Sequence, residues 1–237
     1  MKWTSFGRGL LAAAVCGLLS LNVWAKPHAA GAGGSQAYEA QLPAGLETAT
    51  DMCALLPCKD VFPGATSFSE RKGQPPYVEA LGGPKGKDVL GYVMLSTDIT
   101  DTPAYSGKPV VTLIGMDKEG KFVGVKVLKH SEPILLLGIP ESALLKFNDQ
   151  YLGRSVKDTI EVGQSRPEDG VIGVDAISGA TVTVVAQNQV IMTSGAAVAR
   201  QVGIIKPIVR KPVEYVQPKP DAPLPDWDTL VKQGAVQ

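Results

Sequence analysis

Two hydrophobic periods alternate along this chain, and together they lay out its elements. "DVLGYVMLSTDI" is rich in strand-forming residues. "PVVTLIGMDKEGKFVGVKVLKHSE" reads as a hairpin, with a strand over 109–116, a turn at 117–120 and a strand over 121–131. Within its second strand Val123, Val125 and Val127 are expected on one face, and Phe122, Lys126 and Leu128 on the other. Helical spacing replaces alternation in "LETATDMCALL", where Thr48 or Thr50 is the expected cap. It returns in "PESALLKFNDQYL", with Pro140 near the start and Leu144, Leu145 and Phe147 following. "GVIGVDAI" is a short apolar strand. "VTVVAQNQVIMTSGAAVARQV" is long enough for a helix, and Gln187, Asn188, Gln189 and Arg200 argue against its spanning a membrane. Strands first paired as hairpins, then helices, predict an α+β fold: an antiparallel sheet with helices packed on it.

The flanks follow neither period. Lys2 and Arg8 precede an apolar run from Gly9 to Leu21, and Val23-Trp24-Ala25 offers a cleavage site after Ala25. Residues 1–25 therefore read as a secretory signal. Val15 before Cys16 is wrong for a lipid anchor. Residues 26–40, "KPHAAGAGGSQAYEA", are small and polar and read as a flexible lead-in. From 204 to 237 the chain is proline-rich, an extended tail ending in "DWDTLVKQGAV", a candidate amphipathic turn. The folded domain is expected over 41–203.

Composition narrows the function classes. Hydrophobic residues make up 44% and charged residues 19%, a globular balance. Lys plus Arg and Asp plus Glu number 23 each, and aromatics are only 6%, so neither a basic face nor stacking platforms point to nucleic acid. After removal of the signal, 21 basic residues face 23 acidic ones, a net of −2. Export leaves Cys53 and Cys58, whose spacing permits a disulfide or two buried thiols in a helical turn. The two histidines, His28 and His130, lie far from both cysteines, which argues against a metal site.

"DAISGATVT", Asp175 to Thr183, concentrates the candidate chemistry. A strand ends near Ala176, and Gly179 allows a sharp turn. Ser178 or Thr181 is placed to cap the helix that follows. Free N–H groups and the dipole at that helix start favour an anion. The physics alone gives a phosphate-friendly turn and nothing more specific, since small-residue turns before helices are common.

The order of residues adds to this. Asp175, Ser178, Gly179, Ala180 and Thr181 complete D-x-x-S-G-A-T, which resembles the flavinylation motif of the FMN-binding domains in the redox subunits NqrC and RnfG. "GKFVGVKVLKHSEPILLLG" resembles the strand and turn of the same domains, with His130 and Glu132 matching. The usual Thr after the Glu is missing, and Pro133 follows directly. Over roughly 45–205 the chain resembles the periplasmic N-terminal domain of NosR/NirI proteins. Members of that family usually continue into membrane helices and a part with iron–sulfur motifs; this chain ends at Gln237 before any of these, as a fragment or a stand-alone version.

The resemblance implies FMN joined through its phosphate to Thr181 by an ApbE-type flavin transferase. Asp175 and Ser178 are then read by the transferase or fix the turn, and Gly179 and Ala180 allow close approach. Thr183 bonds the phosphate or ribityl chain, or is only a helix-face residue. His130 and Glu132, on one strand face, are candidates to hydrogen-bond the flavin ring or ribityl chain, with a plain surface histidine as the alternative for His130. Tyr92 and Tyr105 are candidates to stack on the ring, or else pack in the core or at the surface, and Leu135, Leu136 and Leu137 form core or an apolar wall. The implied role is electron transfer on the periplasmic side of the membrane, from a membrane redox partner towards nitrous oxide reductase or its maturation. The alternative is a redox-sensing module that regulates expression of that reductase.

Overall fold

The computed structural model describes residues 37–207 and 226–235. The signal segment 1–25, residues 26–36 of the lead-in and residues 208–225 of the tail lie outside the described residues. The domain is an α+β fold around a five-stranded antiparallel sheet. Strands β1 (Ser67–Phe68), β2 (Val78–Gly82), β3 (Asp88–Leu95), β4 (Val111–Asp117) and β5 (Phe122–Lys129) follow one another in space as they do in sequence. A second, two-stranded sheet pairs β6 (Thr159–Val162) with β7 (Val171–Val174) in parallel, and for β6 the apolar pattern gives no sign.

Both faces of the large sheet are covered, which explains why β3 and β4 read as nearly continuous apolar runs. Alternation along the strands sends Val93, Leu95 and Leu113 to one side and Met94, Ile114 and Met116 to the other. On the first side lie two short helices, α1 (Met52–Leu55) and α2 (Cys58–Val61), with Met52, Cys58, Val61 and Phe62 in the core. Cys53 and Cys58 are joined by a disulfide. The cap of α1 is Asp51, whose side chain accepts the Ala54 N–H at 3.0 Å. Thr48 and Thr50 therefore do not cap it; the helix starts later than helical spacing suggests.

On the second side lie α3 (Glu141–Asp149) and the long helix α4 (Thr181–Gln201). Val184, Ile191 and Val198 of α4 meet Met94, Ile114, Met116 and Phe122 of the sheet, with Phe147 and Tyr151 beside them. Leu145 of α3 faces solvent, whereas Leu144 and Phe147 are buried. A bulge corrects the expected faces of β5. Gly115 pairs with Gly124 and Met116 with Phe122, leaving Val123 as the extra residue. Phe122 therefore joins Val125 on the α4 side, and Val123 turns outward. In the tail, the stretch that reads as a short amphipathic turn forms the helix α5 (Trp227–Lys232), capped by Asp226.

The lead-in also needs a boundary change. Tyr38 bridges to His130, and the Glu39 N–H donates to the His130 carbonyl at 2.8 Å. Residues 37–40 belong to the fold, because these contacts give their backbone groups partners.

Gly115 and Gly124 let α2 rest directly on the sheet. A Cβ at either position would strike the Val61 backbone, which cannot move aside as a side chain tip does. Gly124→Ala is expected to destabilise the domain by about 1–3 kcal/mol. Thermal unfolding checks this: the midpoint falls by several degrees, whereas an unchanged midpoint would contradict the close approach.

Candidate cofactor site

Helix α4 begins at the motif. Ala180 is its N-cap and offers no side-chain acceptor, so no side chain caps the first N–H groups. Gly179 has φ of +80°, the left-handed region in which a side chain is strained. The Ala180 N–H bonds the Ile177 carbonyl at 3.0 Å, closing the turn. The Asp175 backbone is held from both directions by one side chain. Its N–H donates to Gln150 Oε1 at 2.6 Å, and Gln150 Nε2 donates to its carbonyl at 3.3 Å. Asp175, Ser178 and Thr181 are all exposed.

A cavity of about 280 Å³ opens beside this turn. Gly179, Ala180, Thr181, Val182 and Thr183 form one wall; Pro133, Ile134 and Leu137 form another; Tyr105 closes a third. Of the three leucines expected in core or wall, Leu135 packs against the core, Leu137 lines the cavity beside Ile134, and Leu136 points to solvent. A larger cleft, about 720 Å³, is lined by residues 41–48 with Leu95, Thr97, Asp98, Val111 and Lys129, and no motif residue reaches it. The smaller cavity is the candidate site because the motif itself builds it.

Glu132 lies behind the cavity, fully buried. Its carboxylate accepts the Tyr105 N–H at 3.2 Å, the Ser106 N–H at 3.0 Å and the Thr183 hydroxyl. Three donors thus converge on its two oxygens. Thr183 lines the cavity, and its hydroxyl donates to Glu132 behind the wall. Glu132 is not a lining residue; it acts behind the walls.

His130 departs from expectation. It is buried, with Nε2 at 3.1 Å from Glu141 Oε1 and Nδ1 accepting the Glu132 N–H at 3.2 Å. Its ring meets Tyr38 edge-on. Both ring nitrogens are engaged within the fold, and His130 does not line the cavity. The rule that i and i+2 share a face fails here because β5 ends at Lys129 and the chain turns into the 3-10 turn Pro133–Leu137. Tyr105 is brought to the cavity; Tyr92 is not, and packs edge-on against Tyr77, where burial raises its pKa.

Residues 105–193, which contain every wall of this cavity, match the family model for an FMN-binding domain. The chain is 38% identical over 182 residues to the regulatory protein NosR of Stutzerimonas stutzeri, covering 74% of this chain and 24% of that protein. It is 28% identical over 116 residues to the protein NirI of Paracoccus denitrificans, covering 49% of this chain and 16% of that protein. It is 29% identical over 138 residues to a component of the Na(+)-translocating ferredoxin:NAD(+) oxidoreductase complex of Acetobacterium woodii, covering 58% of this chain and 62% of that component. The chain carries an FMN-binding domain of the NosR/NirI type. It spans about a quarter of the length of its NosR relative.

The cavity of this FMN-binding domain suits its cofactor. Its apolar walls match a flat ring system, and Tyr105 offers an aromatic face. Its volume is near the lower end of small-molecule sites, roughly 300–1,000 Å³. A volume of this size encloses only part of a molecule as large as FMN. The N–H groups at the α4 start suit a phosphate.

Gln150 leaves no signal in the sequence, because its partner is a backbone and not a side chain. Gln150→Ala is expected to release the Asp175 amide. One hydrogen bond is worth about 1 kcal/mol. Hydrogen exchange at Asp175 should then quicken roughly fivefold; wild-type protection would show that Gln150 does not hold the motif.

Proposed function

We propose that this domain carries FMN as a phosphoester on Thr181 and serves electron transfer outside the cytoplasm. The observation that carries the reading is the placement of Thr181: an exposed hydroxyl, first residue of α4, at the edge of an apolar cavity. A phosphate on that oxygen meets the N–H end of the helix, while the ring reaches the apolar walls.

A hydroxyl does not condense with a phosphate monoester unaided in water. The donor is a flavin adenine dinucleotide, brought by an ApbE-type transferase. The Thr181 oxygen bonds to the FMN phosphorus, the pyrophosphate linkage breaks, adenylate leaves and the Thr181 proton is released. The transferase supplies the metal that lowers the barrier by neutralising the phosphates. This chain contributes an accessible hydroxyl and, through Gly179 and Ala180, a wall without bulk. Asp175 and Ser178, neither of them buried, are the side chains that remain for the transferase to read.

Bound FMN supplies the redox chemistry. The protein holds the cofactor against loss, gives the ring apolar walls and keeps a buried carboxylate, Glu132, behind them. Kinship with a component of a redox complex, and with NosR and NirI, supports a place between a membrane redox partner and nitrous oxide reductase or its maturation machinery. The signal-like residues 1–25 support the periplasmic side of the membrane. The NosR relatives are named regulatory proteins, which favours one second reading: a redox-sensing module governing expression of the reductase.

Intact mass of protein exported with the transferase tests attachment. The wild type should gain FMN minus water on the peptide containing Thr181, and Thr181→Val should gain nothing. An unmodified, colourless wild type would reject the ester. In a nitrous-oxide-respiring host, Thr181→Val should lower reductase activity with its transcript intact; loss of the transcript would favour sensing.

A further inference from the structure

The three walls of the cavity come from three separate stretches of chain, and one residue is tied to all of them, to two by its side chain and to the third by its backbone. Tyr105 belongs to the loop before β4. Pro133, Ile134 and Leu137 belong to the 3-10 turn, for which Glu132 is the N-cap residue. Thr183 belongs to the start of α4. The Glu132 carboxylate accepts from Tyr105, Ser106 and Thr183, while its backbone leads directly into Pro133. Elsewhere these stretches meet through apolar contacts among Ala104, Ile134, Ala180 and Ala186, which have no directional preference.

We infer that Glu132 is the positioning residue of the FMN pocket: it sets the spacing between the walls and so the affinity for the flavin ring. The inference rests on the reading that this cavity takes the flavin, but not on the bond to Thr181. Hydrogen bonds to an ionisable acceptor are strong and directional, and a shell left loose by about 1 Å fails to preorganise a site. Gln at this position is nearly isosteric. Its amide nitrogen, however, turns donors towards the donors of Tyr105, Ser106 or Thr183, and at least one of them loses its partner. The backbone then withdraws and the walls separate. Because Glu132 lies behind Thr183, this effect needs no contact between the carboxylate and the ligand.

Riboflavin is the probe, since it lacks the phosphate and cannot form the ester. Protein made without transferase is titrated with riboflavin, followed by fluorescence quenching and visible circular dichroism. Glu132→Gln should bind at least about tenfold more weakly, with a weaker dichroism at saturation. Thr183→Val should fall between, and Thr183→Ser should restore wild-type affinity. Val78→Ala, which opens the core on the opposite sheet face, controls for general destabilisation: it should lower the unfolding midpoint and keep riboflavin affinity. Equal affinity in Glu132→Gln and wild type overturns the positioning role, as does an equal loss in Glu132→Gln and Val78→Ala. Wild type that binds no riboflavin overturns it together with the cavity assignment. Wild type that binds riboflavin but gains no mass on Thr181 with transferase removes only the ester.

Discussion

The arrangement of this domain depends on how α4 is fixed on the sheet. Apolar contacts alone would let a long helix slide or rotate by a residue, because they are non-directional. Buried polar contacts remove that freedom. Gln187 donates to Thr112 Oγ1 at 3.1 Å and to Asn148 Oδ1 at 3.0 Å, tying α4 to β4 and α3 together. One turn earlier, Thr183 bonds Glu132. Beside Gln187, Asn188 accepts the Tyr151 hydroxyl at 2.8 Å and donates to the Ile160 carbonyl at 3.1 Å. Each contact fits only one register of the helix, since a buried group without its partner costs about 1–3 kcal/mol.

That register delivers the site. With Thr183 directed inward to Glu132, Thr181 must emerge on the outer side of the first turn, beside the cavity. Gly179 provides the left-handed residue that brings the chain from β7 into this position. The same helix therefore builds the core with its middle and presents a hydroxyl and an anion-friendly end with its start. The opposite face of the sheet, with its disulfide and the close approach of Val61 to Gly115 and Gly124, takes no part in the cavity. It supplies a rigid support.

Much of this is legible in the chain. The hairpin, the helix after the motif and the α+β class follow from periodicity, and the D-x-x-S-G-A-T order marks the turn. The hidden parts have physical causes. The bulge at Val123 inverts the expected face of Phe122, and no local pattern announces a bulge. Strand alternation predicts one face for His130 and Glu132, but β5 stops before either, so one braces residues 37–39 and the other the cavity. Gln150 acts through a backbone and Thr183 through a buried partner 51 residues away in sequence, and neither relation has a sequence period. The β6 strand is short, and its parallel partner is a non-local choice.

In the proposed function, the motif turn brings a hydroxyl, a helix start and an apolar cavity together for one flavin. A crystal structure of the domain after transferase treatment tests it most directly. The expected result is continuous density from Thr181 Oγ1 through phosphate to a ring lying between Tyr105 and Leu137. A ring seated in the cleft beside residues 41–48, or a flavin joined to any other residue, would contradict it.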